Sequence, residues 1–231
     1  MTSTTGFTFG DPINFGVGDN PTALATGDFN GEGNLDLVTA NFGSIGNVDL
    51  QSPSVLLGDG TGRFSAVRNL GRAFSDSSVV VGDFNNDRNL DLVTLATGGG
   101  VSLFLGTGAG DFNRATSFGV GNPRSFTQSV AAGDFNGDGL LDLAIANPVD
   151  SLLTVFLGTG TGNYFGNANN IQFRNSPDSV ATGDFNNDGI LDLVTDSGSN
   201  VSVLLGSGTG SFGPANTFQG GGRAIAHRRL K

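Results

Sequence analysis

The sequence predicts an all-β fold, a β-propeller of four-stranded antiparallel blades, and three observations carry that prediction. The tetrapeptide Gly-Asp-Phe-Asn recurs from Gly27, Gly82, Gly133 and Gly183, in steps of 55, 51 and 50 residues. Each copy runs on into Leu-Asp-Leu (35–37, 90–92, 141–143, 191–193) and then into a glycine-rich turn: LLGDGTGRF (56–64), FLGTGAGDF (104–112), FLGTGTGNYF (156–165) and LLGSGTGSF (204–212). The composition agrees, with 39 Gly and 19 Phe but a single Glu, a single Met and a single Lys. Such a chain is rich in turns and poor in helix formers. Its hydrophobic share of 37% falls in short regular runs, which argues for a packed fold over disorder.

Within each repeat four short strands are expected. The first precedes the acidic loop (22–26, 78–81, 129–132, 179–182) and the second follows it (35–40, 90–95, 141–146, 191–196). The third enters the glycine turn (54–57, 101–105, 154–157, 201–205), and the fourth opens at Phe64, Phe112, Phe165 and Phe212. Antiparallel strands joined by tight turns and repeated at this period make propeller blades, whereas a solenoid would stack parallel strands. One domain over 1–231 is expected, with repeats at about 22–71, 77–122, 128–173 and 178–218. Residues 5–15 read as an outer strand, and 223–227 as an inner strand, of a fifth blade that lacks its middle. An open or strained ring follows, and unpaired blade faces favour self-association.

The loops after each first strand place oxygen donors at positions 1, 3, 5 and 9. They are Asp28, Asn30, Glu32 and Asp36; Asp83, Asn85, Asp87 and Asp91; Asp134, Asn136, Asp138 and Asp142; and Asp184, Asn186, Asp188 and Asp192. The carbonyl at position 7 (Asn34, Asn89, Leu140, Ile190) can join them. Hard oxygen donors with several carboxylates suit Ca2+, while softer metals would want the His or Cys these loops lack. An EF-hand is excluded, because its twelfth position, a bidentate Glu, is here Thr39, Thr94, Ile145 or Thr195. Solvated Asp/Asn turns are the plainer alternative. Against it, 12 of the 21 acidic residues sit in these loops, three to a loop, where they repel unless a cation intervenes. Two loops depart from the pattern: Glu32 lengthens one donor arm, and Arg88 stands where the other loops have Gly33, Gly139 and Gly189. The second loop is therefore expected to bind most weakly. The loop phenylalanines (Phe29, Phe84, Phe135, Phe185) are expected to pack between blades.

These residues resemble the FG-GAP and VCBS repeats of integrin α-chain propellers and of many secreted bacterial proteins. The likeness, centred on Gly-Asp-Phe-Asn-x-Asp-Gly-x-x-Asp, covers nearly the whole chain. It implies a calcium-stabilised propeller engaged in adhesion or extracellular recognition, usually without catalysis.

No catalytic constellation is visible. There is no Cys, the only His is His227 in the basic tail, and the acids outside the loops form no obvious pair. A net charge of −10 argues against nucleic acid, and no run approaches the ~18 apolar residues of a membrane span. Residues 1–25 show neither the basic start nor the apolar stretch of a signal peptide. The sequence-level expectation is a non-enzymatic, secreted or cell-surface calcium-binding module with a protein or glycan ligand. The alternatives are a lectin-like propeller and a non-catalytic part of a polysaccharide-active enzyme. For the lectin reading, the candidate aromatics Phe42, Phe74, Phe126 and Tyr164 occupy unrelated repeat positions.

Overall fold

A computed structural model describes residues 10–43, 51–65, 67–71, 75–120, 129–162 and 168–220. They form a four-bladed β-propeller, each blade a four-stranded antiparallel sheet in simple sequence order. The first blade comprises β1 (Pro21–Gly27), β2 (Asp36–Asn41), β3 (Ser54–Leu56) and β4 (Arg68–Asn69). The second has β5 (Asp76–Gly82), β6 (Asp91–Ala96), β7 (Gly100–Gly106) and β8 (Phe112–Gly119). The third has β9 (Ser129–Gly133), β10 (Asp142–Asn147), β11 (Leu152–Phe156) and β12 (Ala168–Gln172). The fourth has β13 (Ser179–Gly183), β14 (Asp192–Ser197), β15 (Asn200–Leu204) and β16 (Asn216–Gln219).

The repeat fixes the register. Gly27, Gly82, Gly133 and Gly183 each pair with the aspartate that opens the next strand, Asp36, Asp91, Asp142 and Asp192. Side chains alternate across each pleat, so a strand buried on both faces reads as nearly continuous apolar sequence. That is the pattern of β6 (DLVTLA) and β10 (DLAIAN), whose residues are all buried.

The core lies between blades. Phe29, Val38, Ala40 and Val55 of the first blade meet Val79, Leu92 and Phe104 of the second. Phe84, Val93, Leu95 and Leu103 then meet Val130, Leu143 and Phe156. Ala131, Phe135, Ala144 and Val155 meet Val180, Leu193 and Leu204. The inner strands follow the same chain of contacts, β1 on β5, β5 on β9 and β9 on β13. No comparable packing joins β13 back to β1 among the described residues.

Two expectations need correction. Among the described residues the fourth strand opens at its phenylalanine in the second blade alone, at Phe112. In the first and fourth, Phe64 and Phe212 make a lone bridge to Gly58 and Gly206, and the strand resumes at Arg68 and Asn216. Just past each bridge Ser65 and Gly213 still donate to the Leu57 and Leu205 carbonyls, at 2.7 and 2.8 Å. Phe165 lies outside the described residues. Of the expected strand over 5–15, only 10–15 are described, and they pair with no strand. No fifth blade supplies them with a partner among the described residues. The expected strand at 223–227 lies outside the described residues.

Two buried acids lie outside the loops, Asp76 and Asp196, and Asp76 stands apart. Asp76, at the start of β5, is fully buried with the Thr94 hydroxyl, and neither carboxyl oxygen makes a well-formed hydrogen bond. Burial pushes its pKa up to about 8, with Thr94 and the charge of Arg114 pulling weakly the other way. The carboxyl therefore keeps its proton at neutral pH. Because the folded value lies above the unfolded one, this group's contribution to stability is complete below pH 3.8 and is lost as pH rises through about 8. The melting temperature is expected to fall between pH 6 and pH 8, and Asp76→Asn to flatten that decline. Equal slopes for the two proteins in thermal denaturation would refute the assignment.

Candidate metal loops and their buried aspartate clamp

The four acidic loops share one backbone. The first-position aspartate accepts hydrogen bonds from the loop itself: its Oδ2 takes the N–H of Gly33, Arg88, Gly139 or Gly189, at 2.7, 2.7, 2.8 and 2.9 Å. Its Oδ1 takes the N–H of residue 5, Glu32, Asp87, Asp138 or Asp188, at 3.2, 3.0, 3.2 and 3.1 Å. The position-3 asparagine oxygen accepts from that same N–H. This winding needs a left-handed residue at position 6, with φ of +87° at Gly33, +82° at Gly139 and +85° at Gly189. Arg88 adopts the same conformation at +73°, as its place in the repeat required.

The ninth-position aspartates do something that composition alone did not reveal. Asp36, Asp91, Asp142 and Asp192 are fully buried. One oxygen accepts the N–H of the loop phenylalanine, Phe29, Phe84, Phe135 or Phe185, at 2.7, 2.8, 2.8 and 2.9 Å. The other accepts the N–H of the glycine that opens the hairpin turn, Gly58, Gly106, Gly158 or Gly206, at 2.8, 2.8, 2.7 and 2.8 Å. Each carboxylate thus clamps the acidic loop to the hairpin turn of its own blade. The signal was present in Leu-Asp-Leu, an acid flanked by leucines in all four repeats. Reading it only as a donor set hid its burial.

The charge is crowded. Burial pushes Asp91 up to about 6, against hydrogen bonds from Gly106 and Phe84, and the neighbouring Asp87 and Asp83 add to the rise. Asp142 is raised by burial too, with Asp138 and Asp134 contributing. At the exposed rim the Asn89 N–H holds Asp87 below the ordinary carboxylate value. The Glu32 loop differs in its polar contacts: Asn34 bonds Glu32 at 3.3 Å, where Asn85, Asn136 and Asn186 bond the position-5 aspartate.

The donor set fits a hard divalent cation in kind, since every side-chain donor is a carboxylate or amide oxygen and none is nitrogen or sulfur. Among the described residues no three acidic side chains gather around one point. The position-1 oxygens are turned onto loop N–H groups and the position-9 oxygens onto the clamp.

A family model described as FG-GAP-like repeat matches residues 89–145 and 134–195. No curated protein matches the chain by sequence. Among solved structures, one similar fold underlies specific recognition of non-reducing terminal N-acetylglucosamine by an Agrocybe aegerita lectin. It has a TM-score of 0.56 and 18% identity, with 84% of this chain covered and 51% of the lectin. Another is BBS1N in complex with ARL6DN, from a lead-soaked crystal, at TM-score 0.60 and 13% identity over 92% of this chain and 60% of that one. A mercury-soaked form of the same complex gives 0.59 and 12%, over 92% and 57%. The chain thus spans a little over half the length of the structures it resembles, and at these identities the likeness is one of fold.

The clamp and the rim are separable by mutation. Asp142→Ala leaves two buried N–H groups unpaired and is expected to cost about 3–5 kcal/mol in urea denaturation. Asp138→Ala, at the exposed rim, is expected to cost under about 1 kcal/mol when the solution contains chelator. Similar losses for both would remove the distinction. Arg88→Gly relieves the left-handed strain and is expected to stabilise by roughly 1 kcal/mol.

Proposed function

We propose that this chain, a propeller of FG-GAP-like repeats, is a non-enzymatic recognition module whose acidic loops bind Ca2+ in an extracellular setting. The observation that carries the reading is the fourfold recurrence of a wound, acid-rich loop on one backbone, three carboxylates to each. Burial first, and Asp87 and Asp83 after it, raise Asp91, and a nearby cation would act against that rise. Residues 28, 30 and 32, with their counterparts at 83, 85 and 87, 134, 136 and 138, and 184, 186 and 188, would hold the ion beside the clamp aspartates. The bound ion supplies charge neutralisation, and four of them would bring the net charge from −10 to −2. Oxygen sites in extracellular modules bind at ~10⁻⁴–10⁻³ M, a concentration met outside cells, which supports a secreted or cell-surface placement. No helix among the described residues is long and apolar enough to cross a membrane.

A second reading, glycan binding, is favoured by one observation: the neighbour that recognises N-acetylglucosamine has this fold. Binding on a glycan array would select it over protein recognition. Phe42 is the one candidate aromatic that is described, and it is exposed, while Phe74, Phe126 and Tyr164 lie outside the described residues.

Chelation with EDTA is expected to lower the melting temperature. Added Ca2+ should restore it with a midpoint at ~10⁻⁴–10⁻³ M, following the mass-action stabilisation of a folded-state ligand. A melting curve that is the same in EDTA and in millimolar Ca2+ would overturn the metal reading.

A further inference from the structure

The three internal blade junctions are copies of one interface, and the chain carries both halves of a fourth copy left open. At each junction a leucine from the later blade enters the space above the glycine of Gly-Asp-Phe-Asn in the earlier one. Cδ1 of Leu90, Leu141 and Leu191 lies under 3.0 Å from where a Cβ on Gly27, Gly82 and Gly133 would stand. In the reverse direction Leu57 and Leu157 lie over Gly110 and Gly210 of the following blade, while over Gly162 their counterpart Leu105, at 3.6 Å, stands behind Leu103 at 2.8 Å. A backbone hydrogen bond closes each junction: the N–H of Gly110, Gly162 and Gly210 donates to the carbonyl of Phe29, Phe84 and Phe135, at 2.9, 3.2 and 2.9 Å. Phenylalanines stack across two of them, Phe29 on Phe112 and Phe135 on Phe212, both edge to face.

At the two ends the same parts are exposed. Leu35, the counterpart of Leu90, is 66% exposed on the first blade, and no side chain among the described residues lies over Gly62. On the fourth blade Phe185 is 47% exposed, whereas Phe29, Phe84 and Phe135 are at most 2% exposed. Phe218 and Leu205 stand open beside it, and no leucine among the described residues fills the space above Gly183. The two faces are complementary element by element: Leu35 to Gly183 and Phe185, Leu205 to Gly62, and the Gly62 N–H to the Phe185 carbonyl.

We infer that a second copy of this chain docks head to tail, fourth blade on first blade at both junctions, to close an eight-bladed ring. The occupant follows from continuity with the three junctions already formed, whose chemistry no other described surface of the chain reproduces. Two arcs of four blades give eight, inside the range in which propellers close. One obstacle is specific. Phe15 sits edge to face on Phe64, and Ile13, Phe15 and Val17 border a cleft with Leu24, Leu37 and Leu56. This segment covers part of the first blade's open face, where β16 and Phe218 of the second copy would lie. Docking therefore displaces residues 10–17, and weakening that cover favours the dimer.

Sedimentation equilibrium of the whole chain tests the proposal, with circular dichroism confirming that each variant folds. A dimer in reversible exchange with monomer is expected. Leu35→Arg and Phe185→Asp should each weaken it at least ~100-fold, because a closed ring loses an apolar contact at both junctions. In the double variant the introduced guanidinium faces the introduced carboxylate across each junction, and much of the loss should be recovered. Phe15→Ser should tighten the dimer while lowering the stability of the monomer. A monomer at every concentration, an open ladder of higher oligomers, or a dimer indifferent to the two single variants would each overturn the inference.

Discussion

In each blade a buried carboxylate answers two reversals of the chain at the same end, the acidic loop after the first strand and the hairpin turn after the third. Backbone N–H groups exposed by both reversals need acceptors in the interior, where an unpaired donor is costly. The aspartates at 36, 91, 142 and 192 supply two oxygens each, one to either reversal. A neutral amide at this place offers only one acceptor oxygen, and an aliphatic residue offers none. Burial works against the charge, as the elevation of Asp91 and Asp142 shows. The clamp persists because four strands and two turns are organised around it.

From the clamp, order passes outward to the neighbouring blade. The Phe29 N–H is held by Asp36 in its own blade, its carbonyl accepts from Gly110 in the next, and its ring packs on Phe112 there. One residue thus joins the internal order of a blade to the junction that follows. Stability in such an array depends on nearest-neighbour contacts, so an end without a neighbour loses its burial without losing its fold. Phe185 makes the point: its N–H is clamped by Asp192 like the others, yet its ring is half exposed.

Much of this was legible in the sequence, and what was missed has physical reasons. The repeat revealed the blades, because turns and alternating apolar residues at fixed spacing have few other solutions. The left-handed Arg88 was legible too, since three glycines at the equivalent position exposed what the backbone needs there. The double role of the position-9 aspartate was not, because a metal donor and a buried acceptor are the same residue type and only burial separates them. The placement of β4 and β16 was misjudged because Phe64 and Phe212 look like strand residues but close a turn. The Leu-over-Gly contact between blades joins residues more than fifty apart, and periodicity within one repeat carries no trace of it.

The same geometry links the proposed cation to the junctions. Phe29 lies between donor positions 1 and 3 of its loop, and its counterparts Phe84 and Phe135 do likewise. An ion that fixes Asp28 and Asn30 therefore fixes the peptide between them, and with it the carbonyl that Gly110 bonds. Were the proposed ion bound, it would hold the same residue whose carbonyl and ring form the junction. The fourth loop has the same donors but no following blade among the described residues, so an ion there orders a surface and not a junction. Its occupancy should therefore matter least to the stability of a single arc and most to whatever the fourth blade meets.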